Sequence, residues 1–141
     1  MNLYTRCLLE IQDGRRREAL RWLCRALSYN LHLPGMLLAG KKETHHEGTW
    51  GVAMGSEHEA VQYLRENVGW LRKQPSDFLR RLMATSSFVR RLDRAIELKA
   101  ALDSVASLPP GEARSATVDD LYAIFDEDHI PKILEECRDA W

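Results

Sequence analysis

No stretch of this chain is apolar for long. None approaches the roughly 20 apolar residues of a membrane-spanning helix, and the opening MNLYTRCLLEIQDGRRR has no apolar run of signal-peptide length. A soluble chain is expected. Cysteine is scarce as well: Cys7, Cys24 and Cys137 are odd in number and show no CxxC spacing. That suits reduced thiols in a reducing, cytoplasmic compartment. Charge of one sign is also missing. Twenty Lys and Arg against 21 Asp and Glu leave a formal net charge of −1, so no global field steers the chain to nucleic acid or membrane. The sequence contains no HExxH, GxGxxG or P-loop and no serine or cysteine nucleophile in a recognisable turn, so it offers no catalytic or cofactor signature.

What remains is an ordinary globular composition. A chain of 141 residues, 45% hydrophobic and 29% charged, can bury a core without disulfides or metal. The charge is laid out unevenly. Residues 1 to 25 sum to +3, 26 to 64 to −2, 65 to 99 to +5 and 100 to 141 to −7. A basic middle and an acidic tail either neutralise each other in the fold or face different partners.

Apolar residues recur at helical spacing in Leu3, Cys7, Leu8 and Ile11, and again in Ala19, Leu20, Leu23, Ala26 and Leu27, with Asp13-Gly14 between them. This predicts a helical hairpin over 1–31. Within it, Gly14, Ala19, Leu23, Ala26, Leu27 and Asn30 fall at the spacings of a tetratricopeptide second helix, which residues 14 to 30 resemble. No second copy follows one period of about 34 residues later, so the resemblance implies local hairpin packing and not an array.

Residues 32–56 form a Gly-rich central segment, and Pro34 to Ser56 holds five of the eight glycines. Its two short apolar runs can pair as a short β-hairpin or follow an irregular loop. Middle helices are expected over 56–108. Ser56 and Glu59 form a capping box, Gln74-Pro75 closes the first helix, and Ser76 caps the next. Phe78, Leu79, Leu82, Met83, Val89, Leu92, Ile96, Leu102 and Val105 then supply one bent helix or two in succession. Residues 109–116 read as a linker, and 117–141 as acidic C-terminal helices, the first capped by Thr117 and the last carrying Pro131 in its first turn. The expected fold is mainly α: a compact single-domain bundle of six or seven helices.

Four constellations could carry chemistry. His45, His46 and His58 are metal-ligand types, but adjacent histidines point apart, and loop polarity with a capping glutamate accounts for the same letters. No metal or cofactor is expected, and a metal- or histidine-dependent enzyme built on these three is an alternative. The helix start after Gly55-Ser56 could bind an anion, but Glu57 and Glu59 already fill that role. Asp126-Glu127-Asp128 lacks the glycine and glutamate of a calcium loop. The arginines Arg80, Arg81, Arg90, Arg91 and Arg94 leave the apolar face free. On a continuous helix Arg80, Ser87, Arg91 and Arg94 form a stripe able to meet phosphates, an acidic protein or the chain's own acidic end.

Trp22 and Trp70 fall inside helices as core or half-buried residues, while Trp50 and Trp141 are candidates for a partner surface. The expectation is a small non-enzymatic cytosolic interaction protein, an adaptor, inhibitor or regulatory subunit. It would bind a protein partner, an acidic one included, through Arg80, Arg81, Arg90, Arg91, Arg94, Trp50 and Trp141. A nucleic-acid-associated factor using Arg80 to Arg94 is the other alternative.

Overall fold

The computed structural model describes residues 3–32, 34, 59–63, 73–104, 106 and 108–140. Among these the chain is mainly helical, as the periodicity predicts, with six α-helices and a closing 3₁₀ turn. They are α1 (Leu3–Gln12), α2 (Arg16–Leu27), α3 (Lys73–Ala84), α4 (Ser86–Asp103), α5 (Glu112–Ala123) and α6 (Ile130–Glu136), followed by Arg138–Ala140. A helical turn at 59–63 places Ala60 and Tyr63 in the core. The central segment after Pro34, with Trp50, His45, His46 and His58, lies outside the described residues, as do Trp70 and Trp141.

The hairpin forms where the sequence places it. Cys7, Leu8 and Ile11 from α1 meet Ala19, Leu20, Leu23, Ala26 and Leu27 from α2, all of them buried. The turn between them needs Gly14, whose φ of 76° lies in the left-handed region that side chains resist. Glu10 is buried and paired with Arg6 at 2.6 Å and with Arg15. The hydrogen bond from Arg15 holds its carboxyl below the usual range against the opposing effect of burial.

From this hairpin the helices close a ring. α1 packs on α3, α3 on α4, α4 on α6 and α6 back on α2. Inside it Phe88, Leu82, Ile133 and Cys137 are completely buried. Close packing at these positions makes the core sensitive to lost volume. Asn30, also buried, ties three parts together: its carbonyl accepts from the Tyr4 hydroxyl, its amide donates to Glu59 at 3.0 Å, and its side-chain oxygen accepts from the His32 N–H at 3.0 Å. α5 lies outside the ring, leaning on α4, and buries none of its own residues.

Three local expectations are corrected. Ser76 does not cap a helix and Pro75 does not end one: α3 begins at Lys73 and takes Pro75 into its first turn, where the missing N–H costs no helical bond. Thr117 is not a cap either. α5 begins at Glu112, directly after Gly111, and the Thr117 hydroxyl donates back to the Ala113 carbonyl at 2.8 Å, so the linker expected over 109–116 is already helical from Glu112. Ile96 is not in the core face of α4, which runs through Phe88, Leu92, Ala95, Leu98 and Leu102. Of one bent helix or two in succession, the chain takes two: Thr85, between α3 and α4, is extended, with φ −85° and ψ 109°.

Candidate functional site: an aromatic groove beside an arginine face

α5 buries none of its side chains yet stays close to α4, and that leaves a groove. It runs between the end of α2, the end of α4 and the inner side of α5, with a volume of about 950 Å³. Arg114 sets its width: its guanidinium donates to the carbonyls of Leu102 at 2.7 Å and Leu108 at 2.9 Å. Leu102 lies in the last turn of α4 and Leu108 in the connection that follows, so one guanidinium ties α5 both to the end of α4 and to the segment that joins them.

The groove floor is apolar, with Leu3, Leu102, Val118 and Leu121 around the buried ring of Phe125. Trp22 forms one wall and is half-buried, as its place inside a helix predicts. The Arg25 guanidinium lies 4.8 Å from its ring centroid and that of Arg6 lies 5.8 Å away, an arrangement that favours a cation over the indole face. Tyr29 and Tyr122 stand at the rim, 63% and 60% exposed. Large aromatic side chains left in solvent beside an apolar floor are what partner surfaces are made of. Sequence reasoning singled out neither tyrosine. The one local hint is that Leu121-Tyr122 sits on a helix whose sequence has no apolar stripe.

The arginines are distributed differently from a single stripe. Because the helix breaks at Thr85, Arg80 and Arg81 belong to α3, and Arg90, Arg91 and Arg94 to α4. Arg91 is half-buried and engaged by Glu136 of α6 through two bonds of 3.0 Å. The carboxyl of Glu136 is lowered chiefly by that hydrogen bond. Arg80 pairs with Asp77 at 2.9 Å and Arg94 with Glu97 at 3.5 Å, both on the surface. Arg81 and Arg90 are exposed. Ser87, Arg90, Arg91, Arg94, Ile124 and Glu136 line a shallow depression of about 320 Å³. The acidic end of the chain is thus joined to its basic middle at Arg91–Glu136 and to its basic opening segment at Arg25–Glu127.

The described lining of the groove holds neither histidine nor cysteine. Among the described residues no three His, Cys, Asp or Glu side chains converge as metal ligands. The three thiols are buried and free. Burial is the main cause that pushes Cys24 up to about 12 and Cys137 to about 11, and it raises Cys7 further, which makes all three poor nucleophiles. No helix among the described residues is long and apolar enough to cross a membrane. No family model, curated protein or solved structure matches the chain.

Proposed function

We propose that this chain is a small cytoplasmic protein-interaction module, of the adaptor, inhibitor or regulatory-subunit kind, and that it acts by binding and not by catalysis. The observation that carries the reading is the groove: its largest exposed aromatics, Tyr29 and Tyr122, stand over an apolar floor walled by Trp22. Interfaces draw most of their affinity from a few such anchors. The exposed arginines Arg80, Arg81, Arg90 and Arg94 serve as flanking contacts, which act on encounter rate and specificity more than on affinity. Arg91 contributes by holding α6 against α4.

The test is affinity capture from the native host with the tagged full chain, identification of the captured protein, and titration of that purified protein. Tyr29→Ser/Tyr122→Ser removes two exposed side chains without touching the core, and binding falls by about tenfold or more. Arg90→Glu/Arg94→Glu slows association with less effect on dissociation. Unchanged affinity in the tyrosine variant, with an unchanged circular dichroism spectrum, overturns the reading.

A further inference from the structure

The aromatic groove is electrically balanced, with Arg25, Lys99 and Arg114 in its lining against Asp103, Asp126 and Glu127. The shallow depression on α4 is not. Ser87, Arg90, Arg91 and Arg94 stand at positions i, i+3, i+4 and i+7 of that helix and so share one face of it. With Ile124 and Glu136 they line the depression, and three guanidinium groups against one carboxylate leave the lining at +2. Little inside the chain takes up this charge. Arg90 is exposed and makes no hydrogen bond or ion pair with any described residue. Arg94 reaches Glu97 only at 3.5 Å, with both side chains more than half exposed. Arg91 gives Nε and Nη2 to Glu136, and its remaining N–H groups have no acceptor among the described residues. Glu136 is thus a brace that fixes the guanidinium, and Lys132, 4.0 Å from it, offsets part of its charge.

The backbone at this end of α4 also favours an anion. Thr85, in the N-cap position, makes no capping bond, its hydroxyl donating instead to the Arg81 carbonyl at 3.0 Å, and the first turn holds no acidic side chain. First-turn N–H groups lack an acceptor within their helix and carry the positive end of its dipole. Ser87 brings that turn to the edge of the depression, and long helical side chains lean toward the N-terminus, so the three arginines reach back toward it. Forked donors, a hydroxyl and a net +2 around one small volume match a phosphomonoester, which carries about −1.5 to −2 at pH 7 and three acceptor oxygens. A carboxylate brings about half that charge. Nucleic acid needs a track of phosphate contacts, whereas Arg80 and Arg81 belong to a different helix. Resting on the reading of the chain as a protein-binding module, and deepening the part given there to Arg90 and Arg94, we infer that this depression binds a phosphorylated serine or threonine side chain of the partner protein. The phosphate lies among Ser87, Arg90, Arg91 and Arg94, the shallow opening leaves its carrier chain outside, and Ile124 at the edge meets an apolar neighbour of the modified residue.

The experiment titrates the isotope-labelled full chain, observed by NMR, with three capped peptides of sequence Gly-Leu-X-Leu-Gly in which X is phosphoserine, glutamate or serine. The phosphoserine peptide shifts the Ser87 amide and the side-chain signals of Arg90 and Arg94. It binds roughly tenfold more tightly than the glutamate peptide and weakens as salt is added, and the serine peptide leaves those signals unmoved. Arg90→Gln/Arg94→Gln, which spares the Arg91–Glu136 fork, lowers the affinity by about tenfold or more. Arg17→Gln/Arg21→Gln, an equal loss of charge at exposed positions of α2, leaves it unchanged. Equal affinity for the phosphoserine and glutamate peptides overturns the phosphate assignment. Inorganic phosphate that binds as tightly as the phosphopeptide assigns the site to a free anion, and a single-stranded oligonucleotide that binds more tightly assigns it to nucleic acid; either result overturns the phosphorylated partner. No shift at Ser87, Arg90 or Arg94 with any of these probes overturns the site itself. The groove at Tyr29 and Tyr122 is untouched by every one of these outcomes and falls only by its own variants.

Discussion

Arg91 and Glu136 face each other across α4 and α6 as a two-bonded fork, Nε and Nη2 each 3.0 Å from a carboxylate oxygen, with only 19% and 26% of the side chains exposed. Paired geometry with partial shielding makes this a stabilising contact, unlike the surface pairs at Arg80 and Arg94. Glu136→Gln lowers unfolding free energy by about 1–3 kcal/mol in urea titrations. Arg91→Lys costs a comparable amount, because an ammonium cannot reproduce the fork. A double-mutant cycle between the two positions returns a coupling well above that of the Arg94–Glu97 pair.

Acid destabilises the fold through the same carboxylate and through Glu10. Both are held below the ordinary range, Glu136 by the hydrogen bond from Arg91 and Glu10 by that from Arg15. A carboxyl whose folded pKa is depressed adds stability above its unfolded pKa, and that stability is lost as pH falls through the folded value. The urea midpoint therefore declines as the pH drops below about 4. Glu10→Gln/Glu136→Gln starts from a lower plateau and shows a shallower acid limb.

The thiols stay silent until the chain unfolds. Cys7 and Cys24 are 1% and 0% exposed, and Cys137 is 0%. Burial also keeps them protonated far above neutrality, with Cys137 at about 11 and Cys24 at about 12. At pH 8 a chromogenic disulfide reagent reacts slowly with the native chain, and all three thiols titrate at once in denaturant. Fast labelling of any of them in the native state contradicts the packing of α1 on α2 or of α6 on α2.

Much of this fold was legible because its core helices are one-sided in sequence. In α1 and α2 the apolar period identifies the buried residues Cys7, Leu8, Ile11, Leu20, Leu23 and Leu27, with the half-buried Leu3 at the edge. Punctuation residues were less reliable, because their meaning depends on position. Pro75 is harmless in a first turn, and Thr117 satisfies its hydroxyl on Ala113 inside a helix. The groove was not legible at all. Tyr29 lies in the turn just past α2 and Tyr122 sits in an acidic helix, and the distance between them in sequence is bridged only by the docking of α5 on α4. That docking depends on Arg114 reaching carbonyls that no residue pattern marks. The arginine series was visible as composition, but the single extended residue Thr85 splits it between two helices, and Glu136 takes up one member.

The docking of α5 is itself open to test. α5 has no fully buried residue, and its apolar hold on the bundle comes from part-buried side chains such as Leu121. The two bonds from Arg114 to Leu102 and Leu108 therefore carry a disproportionate share of its attachment. Arg114→Met keeps the aliphatic stem and removes both donors. Amide exchange then accelerates over Glu112–Ala123, by about an order of magnitude for a loss near 1.4 kcal/mol. Exchange in α1 and α2, whose faces are fully buried against each other, does not change. Equal acceleration throughout the chain means that Arg114 supports the whole bundle and that α5 is not a separately released element. Acceleration confined to α5 identifies it as the least stable wall of the groove.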